Sequence, residues 1–350
     1  GVWIMAYTTI DNPGLFFNTV LYSGDNSTGR SITGVGFAPD FLWLKDRTTA
    51  GSAHFLSDTV RGDGKWLRTN GDFAENTDTN VITSLDSDGF TVGNDVYSNK
   101  TGDNYVAWNW LGANGTASNS NGGITSTVSA NTTAGFSIVQ YVGTSSDNTV
   151  GHGLGAIPKM IITKSTSASG HWSCYHNKLP NGADSYIELN KTSAASNLSL
   201  SPDYWGTPSS TVFGVKGGYG NSVNGRTYIA YCFAEIKGYS KFGSFTGNGN
   251  ADGTFVYTGF KPAFIIEKLS SGTGSWLIYD NKRNGINGDN HYFYADGSDA
   301  ELTTQLIDIT SNGFKHRHAG GANSSGTSIY MAFAESPFVT AGTKAPGTAR

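Results

Sequence analysis

The sequence has little charge and no long apolar run. Charged residues make up 14% of its 350 residues, well below the usual ~25%. The net charge is −4 and Lys and Arg are scattered, which argues against a nucleic-acid partner. No apolar segment approaches the ~20 residues of a membrane-spanning helix, so we expect no membrane insertion. The N-terminal stretch GVWIMAYTTIDNPGLFF lacks the basic and continuous apolar regions of a secretion signal.

Cysteine is also scarce, being represented only by Cys174 and Cys232. Two cysteines do not make a disulfide framework. Both lie in apolar runs, WSCYH and YIAYCF, so buried free thiols are the favoured interpretation, with a bridge between these strands as the alternative. Helical periodicity is nearly absent, and only residues 300–309 could form a helical turn.

Glycine and aromatic residues are plentiful. The chain has 47 glycines, and 13% of its residues are aromatic. Many of the aromatic residues lie in short alternating runs that are separated by turn residues. This pattern predicts a folded, loop-rich, all-β protein.

One spacing pattern occurs three times, at residues 24–45, 143–164 and 247–268. Each copy begins with a glycine and continues to a proline, an apolar run and a final lysine. The prolines are Pro39, Pro158 and Pro262, and both intervals around them are identical in the three copies. Constant spacing with changed side chains predicts a common backbone.

The repeat predicts three tandem antiparallel β-sandwich units of about 100 residues, of the jelly-roll or lectin-like kind. In each unit the apolar run is predicted to be a central strand that is buried on both faces. The predicted segments are a lead-in at 1–18, repeat 1 at 19–112, a Ser/Thr/Asn/Gly-rich linker at 113–134, repeat 2 at 135–238, repeat 3 at 239–338 and a tail at 339–350.

Several stretches closely resemble a family of marine bacteriophage proteins. They include SITGVGFAPDFLWLKDRT, TVGHGLGAIPKMIITK, IAYCFAEIKGYSKFGSFTGNGNADGTFVYTGFKPAF and YMAFAESPF. The members are tail-fibre-like structural proteins with tandem lectin-like (concanavalin-type) domains, and the resemblance extends from about Met5 to Phe338. It implies a virion component in a tail or appendage that contacts host surface glycans and other virion proteins, and it implies a homotrimer. It supplies no catalytic residues.

Two other functions stay open: a capsid decoration or connector protein without receptor binding, and a polysaccharide-degrading tail enzyme. Neither a glycosidase-like carboxylate pair nor a Gly-x-Ser-x-Gly elbow is evident, so we expect no enzyme. Sugar binding requires less, namely an aromatic platform with polar loop groups. The aromatic candidates for exposed binding loops are Tyr204, Trp205, Tyr219, Tyr292 and Tyr294.

Metal and ion sites receive weaker support from the sequence. No cofactor is expected, although His316 and His318 would share one face of a strand, where imidazoles suit a transition metal. Oxygen-rich Asp/Asn/Gly loops could hold Ca²⁺, but turns favour the same residues. Lys45, Lys164 and Lys268 are interpreted as solvated charges that end apolar strands. Asp-x-x-Arg at Asp58 and Asp280 is interpreted as an ion pair that braces a turn.

Overall fold

The computed structural model describes residues 8–197, 203–283 and 287–338. The protein is all-β, and its sheets are antiparallel. The described helices are three short 3₁₀ turns, Pro13–Leu15, Gly182–Asp184 and Gly321–Asn323. No helix among the described residues is long and apolar enough to cross a membrane. The predicted tail at 339–350 lies outside the described residues.

The first nine strands form two sheets, which together we call unit 1. Its strands are β1 Phe17–Ser23, β2 Arg30–Thr33, β3 Phe41–Asp46, β4 His54–Asp58, β5 Lys65–Arg68, β6 Asn76–Thr77, β7 Ile82–Asp86, β8 Gly89–Val92 and β9 Asn104–Trp110. The large sheet has the order β1-β9-β3-β4-β5-β6, and the small sheet has the order β2-β8-β7.

Unit 2 contains the next ten strands. They are β10 Ala117–Asn119, β11 Ser126–Asn131, β12 Phe136–Val142, β13 Asn148–Gly151, β14 Pro158–Ser165, β15 Ser173–His176, β16 Ser185–Glu188, β17 Ser196–Asn197, β18 Val212–Val215 and β19 Thr227–Ala234. The large sheet has the order β10-β11-β12-β19-β14-β15-β16-β17, and β13 pairs with β18. The segment predicted as a linker therefore contributes β10 and β11 to this sheet.

Unit 3 contains the last nine strands. They are β20 Ser240–Gly247, β21 Phe255–Tyr257, β22 Phe260–Leu269, β23 Leu277–Asp280, β24 Asn290–Tyr294, β25 Leu302–Thr304, β26 Ile307–Thr310, β27 Gly313–His316 and β28 Gly326–Pro337. Its large sheet has the order β20-β28-β22-β23-β24-β25, and its small sheet has the order β21-β27-β26. This is the strand order of unit 1, and it supports the prediction of a repeated backbone.

The central strand of each large sheet is buried on both faces, as its apolar sequence predicts. In β3, Leu42 and Leu44 pack against the small sheet of unit 1. Phe41 and Trp43 point the opposite way, into a core shared by all three units. Successive strand residues face opposite sides of a sheet, so a strand between two cores needs apolar residues on both alternations.

The shared core joins the inner faces of the three large sheets, mainly through aromatic rings. Phe17 of unit 1 stacks on Phe333 of unit 3 with ring centroids 5.4 Å apart. Phe41 of unit 1 stacks on Tyr231 of unit 2 at 4.3 Å, and Phe233 of unit 2 contacts Phe333 at 6.0 Å. Each unit therefore contacts the other two, and each small sheet covers the opposite face of its own large sheet.

Both cysteines are free and buried, as the favoured interpretation predicts. Cys174 belongs to the shared core, whereas Cys232 belongs to the separate core of unit 2. Their side chains lie on opposite faces of one sheet, and a disulfide requires the two Cβ atoms to lie about 3.5–4.5 Å apart. The alternative of a bridge between these strands is wrong.

Candidate functional site

Two of the aromatic candidates are core residues. Tyr204 is 2% exposed and Trp205 is fully buried, so their prediction as exposed-loop binding residues is wrong. The Trp205 indole donates a hydrogen bond to the Ser185 carbonyl at 3.1 Å, and both rings pack in the separate core of unit 2. Aromatic side chains carry a large apolar area, which favours burial.

Tyr219 is the candidate that lies clearly on the surface. Its side chain is 41% exposed, and its ring lies edge-on to the ring of Tyr204 at 6.4 Å. Tyr219 thus sits above a packed core, and it is not part of an aromatic platform with Trp205.

Tyr292 and Tyr294 lie together in a cleft of unit 3. The cleft has a volume of about 240 Å³ and is lined by Leu277, Tyr292, Tyr294, Thr304, Leu306 and His318, among others. Tyr292 is 8% exposed and Tyr294 is partly exposed. The two rings meet edge to face at 5.7 Å. The structure therefore brings these two candidates and His318 to one place, although Tyr292 is a buried strand residue and not an exposed loop residue.

The predicted pairing of His316 and His318 on one strand face is wrong. The strand β27 ends at His316, which is 2% exposed, whereas His318 lies beyond the strand and is exposed. Burial lowers the pKa of His316 to about 4. In residues 8–197, 203–283 and 287–338 no group of three or more His, Cys, Asp or Glu side chains is arranged to hold a metal ion.

The buried neighbour of His316 is a carboxyl group. Glu267 Oε2 lies 3.5 Å from His316 Nε2, and neither atom has a hydrogen-bond partner among the described residues. Burial raises the pKa of Glu267 to about 8, and the hydroxyl of Tyr279 donates to its other oxygen at 3.1 Å. Both side chains are thus held in their uncharged forms by the apolar core of unit 3.

The three repeated lysines are buried, so their interpretation as solvated charges is wrong. Lys45, Lys164 and Lys268 are each 0% exposed. Each Nζ donates to the carbonyl of the following residue, at 2.7, 2.7 and 2.8 Å. Burial lowers the pKa of each to about 8. Lys268 also donates to the Thr192 carbonyl of unit 2 at 3.2 Å, and Lys45 lies 5.0 Å from the ring of Phe293 in unit 3.

The Asp-x-x-Arg pairs do brace turns, but they are fully buried where two units meet. The Asp58–Arg61 pair has an N–O distance of 2.5 Å with both side chains 0% exposed. The Tyr231 hydroxyl of unit 2 donates to Asp58 at 2.8 Å. In the same way, the Trp108 indole of unit 1 donates to Asp280 of unit 3 at 2.9 Å. The two Asp–Arg pairs therefore take part in the contacts between units.

One aromatic pair was not among the candidates. Phe255 and Tyr257 of β21 are 45% and 56% exposed, and they lie on one face because they are two residues apart. Val256, between them, is buried. A comparison of the three sequence copies could have found them, because at the constant spacing of the repeat their positions carry Ile32 and Gly34 in the first copy and Gly151 and Gly153 in the second.

Comparisons with known proteins give one match. Residues 12–337 match the family described as a domain of unknown function (DUF7483). The match covers most of the chain, so this protein belongs to that family, and the matched region spans all three units. No curated protein and no solved structure shows significant similarity to the chain.

Proposed function

We propose that this protein is a structural component of a bacteriophage virion, in a tail fibre or another appendage, and that it contacts glycans on the host surface. The virion assignment rests on the sequence resemblance. The observation that carries glycan contact is the exposed pair Phe255 and Tyr257, which we call the aromatic platform. Sugar rings present apolar faces that pack on aromatic side chains, and exposed aromatic patches commonly mark interaction sites.

The fold itself does not require aromatic residues at these positions. Strands β2, β13 and β21 correspond, because Ile32, Val150 and Val256 pair with Phe90, Phe213 and Phe314. The residues that flank these buried positions are Ser31 and Thr33 in unit 1, Thr149 and Gly151 in unit 2, and Phe255 and Tyr257 in unit 3. Two units thus fold with small residues where unit 3 exposes two aromatic rings, which favours a role in recognition.

The platform is held in place by its strand. β21 pairs with β27, and Val256 anchors it in the separate core of unit 3. Side chains two residues apart on a strand are about 7 Å apart along it. Beside them Lys315, which pairs with Phe255, forms an ion pair with Asp252 at 2.7 Å. Ionic groups next to aromatic faces provide hydrogen bonds for sugar hydroxyl groups.

The arrangement of the units suits a structural component. Three large sheets share one core, so the chain presents its surfaces on a single body and not on loosely linked domains. The predicted homotrimer stays a prediction. In such a trimer, each chain would supply three units.

The function is tested with host cells and with intact virions. The purified chain should bind host cells. The double variant Phe255→Ser/Tyr257→Thr, which carries the residues of unit 1, should bind them with an affinity that is lower by about tenfold or more. Val142→Thr is a matched control, because Val142 is 51% exposed in unit 2 and outside the platform. An antibody against the chain should label the tail. Equal cell binding by the double variant would overturn glycan contact through the platform, and label on the capsid would favour a decoration protein.

A further inference from the structure

Each unit has a corresponding groove on its large sheet, outside the aromatic platform. Its floor is formed by one aromatic residue on the corresponding strands β5, β16 and β24, namely Trp66, Tyr186 or Tyr292. Each of the three lies two positions before a residue that pairs with the neighbouring strand β4, β15 or β23, and therefore they correspond. These pairs are Arg68 with Phe55, Glu188 with Ser173, and Tyr294 with Leu277. The same three registers make Phe55, Ser173 and Leu277 the corresponding wall residues.

In unit 2 a tyrosine from the chain itself occupies this groove. The ring of Tyr204 stacks on Tyr186 with a centroid distance of 4.9 Å and an interplanar angle of 21°. Its hydroxyl group lies 2.9 Å from the Ser173 hydroxyl. Tyr204 is 2% exposed, so the groove of unit 2 is filled by a six-membered ring with a polar substituent.

In unit 1 a partly exposed ring of the same chain lies against the wall of the groove, whereas the Arg68 guanidinium lies over the floor residue Trp66 at 5.4 Å. Tyr97 packs against Phe55 at 5.3 Å, and Phe55 in turn meets Trp66 at 5.0 Å. Tyr97 comes from the connection between β8 and β9, whereas Tyr204 comes from the connection between β17 and β18. Two different connections thus supply a tyrosine to the corresponding groove.

In unit 3, among the described residues, no ring from a connection fills the groove, although Tyr292 itself is buried in the separate core of that unit. Among the described residues, the rings beside Tyr292 are those of Tyr279 and Tyr294, both from the same sheet. The space above is the cleft of about 240 Å³ described earlier. Gly321 at its edge has a positive φ of 65°, and a Cβ there would lie 3.1 Å from Leu277 Cδ1. The absence of a side chain at Gly321 helps to keep the cleft open.

We propose that the cleft of unit 3 binds a single pyranose ring beside the partly exposed ring of Tyr294, at the position that Tyr204 takes in unit 2. Leu277, Leu306 and Tyr292 offer an apolar surface, and Thr304 and His318 line the same cleft. A pyranose has one apolar face and a rim of hydroxyl groups, which matches this lining. Pockets for drug-sized ligands are roughly 300–1,000 Å³, so a smaller cleft suits one ring.

This site is independent of the aromatic platform, so the two proposals can fail separately. Phe255 and Tyr257 do not line the cleft. The variant Phe255→Ser/Tyr257→Thr should therefore leave pyranose binding in the cleft unchanged, whatever its effect on binding to cells.

The test is a titration of the full chain with the methyl pyranosides of glucose, galactose, mannose and N-acetylglucosamine. Phenol is titrated for comparison, and binding is monitored by ligand-observed NMR. Thr304→Tyr places a ring in the cleft and should weaken pyranoside binding by about tenfold or more through a direct clash. Thr303→Tyr is the matched control, because Thr303 is exposed on the same strand and faces the opposite side. It should stay within about twofold of the parent chain.

A second filling variant keeps the test valid if Thr304→Tyr does not fold. His318 is exposed, so His318→Trp can cover the cleft without a change in the core. Loss of pyranoside binding in a folded filling variant, with binding retained in Thr303→Tyr, supports the site. The proposal is overturned if none of the four pyranosides binds, if binding survives in both filling variants, or if phenol alone binds.

Discussion

Among the described residues, two of the three contacts between units, called seams below, contain a buried Asp–Arg pair, and the third does not. Asp58–Arg61 lies between units 1 and 2, and Asp280–Arg283 lies between units 3 and 1. In the seam between units 2 and 3 the corresponding residue is His176. Its Nε2 lies 3.1 Å from the Tyr330 carbonyl of unit 3.

The backbone contacts of the seams, by contrast, are the same in all three. Gly51, Gly170 and Gly274 donate to the carbonyls of Ser298, Asp72 and Thr192 of the neighbouring unit, at 2.7, 2.8 and 2.9 Å. The amides of Glu75, Ala195 and Glu301 donate to the carbonyls of Thr166, Ser270 and Arg47, at 2.8, 2.8 and 2.9 Å. The comparison indicates that the backbone fixes how units meet and that the side-chain pair is one of several ways to fill the contact.

The largest effect is expected where one partner of a charged seam is removed. Arg283→Met leaves the Asp280 carboxylate buried, and loss of one partner of a buried pair costs about 3–5 kcal/mol. The free energy of unfolding from urea titrations measures this. Lys241→Met is the control, because Lys241 and Glu235 are 37% and 28% exposed at 2.8 Å and exposed pairs contribute about 0–1 kcal/mol. Equal losses of unfolding free energy in the two variants would contradict the view that the buried pair in the seam stabilises the protein more than an exposed pair.

A smaller loss is expected at the uncharged seam. His176→Leu removes two hydrogen bonds, the one to the buried Tyr330 carbonyl and the one that the Lys178 N–H donates to Nδ1. Loss of a buried partner of this kind costs about 1–3 kcal/mol. The same urea titration compares it with Arg283→Met. A cost as large as that of the arginine variant would mean that the two kinds of seam are energetically equivalent.

Two buried histidines at contacts between units should also make stability depend on pH. Like His176, His54 of unit 1 has its Nε2 3.1 Å from a carbonyl of unit 3, that of Tyr294. Burial lowers the pKa of His176 to about 4 and lowers that of His54 well below its usual value. Between pH 6.5 and about 4 these two side chains bind protons in the unfolded chain and not in the folded chain, so their contribution makes the free energy of unfolding fall as the pH falls. Thermal melts across this range check the sign. His176→Asn should reduce the slope, and an unchanged slope would exclude His176 as a source.

The smallest effect on stability is expected on the outer face of unit 3. Phe255→Ser/Tyr257→Thr changes exposed side chains for which units 1 and 2 have small residues. Surface substitutions of this kind usually stay within about 0.5 kcal/mol each. Urea titration should therefore place this variant near the parent chain, although its cell binding is reduced. A large loss of stability would identify the aromatic platform as part of the fold.

Sequence reasoning predicted the all-β class, the doubly buried central strand and the free thiols, because period-two patterns and apolar runs report directly on local burial. It misplaced Lys45 and its counterparts, because a charge at the end of an apolar run is ordinarily solvated. The neighbouring unit that buries these lysines lies far away in the sequence.

The candidate site was predicted less well. Tyr204 and Trp205 were predicted to lie in an exposed loop, but they come from the connection between β17 and β18 and pack into the core of their own unit. Tyr292 and Tyr294 do meet in a cleft, although a single sequence could not distinguish their positions from those of buried aromatic residues. Phe255 and Tyr257 could have been recognised, since only the third copy carries aromatic residues there.

The claim that the three units form one closed body is tested most directly by hydrogen exchange of the six seam amides, on Gly51, Glu75, Gly170, Ala195, Gly274 and Glu301. Amides within one cooperative body exchange only through its global opening, whereas amides at a weak joint exchange through local opening. We expect all six to be protected as strongly as the central strands, with the same dependence on denaturant. Rapid exchange of the two amides of any one seam would show that the body opens there and would contradict the account.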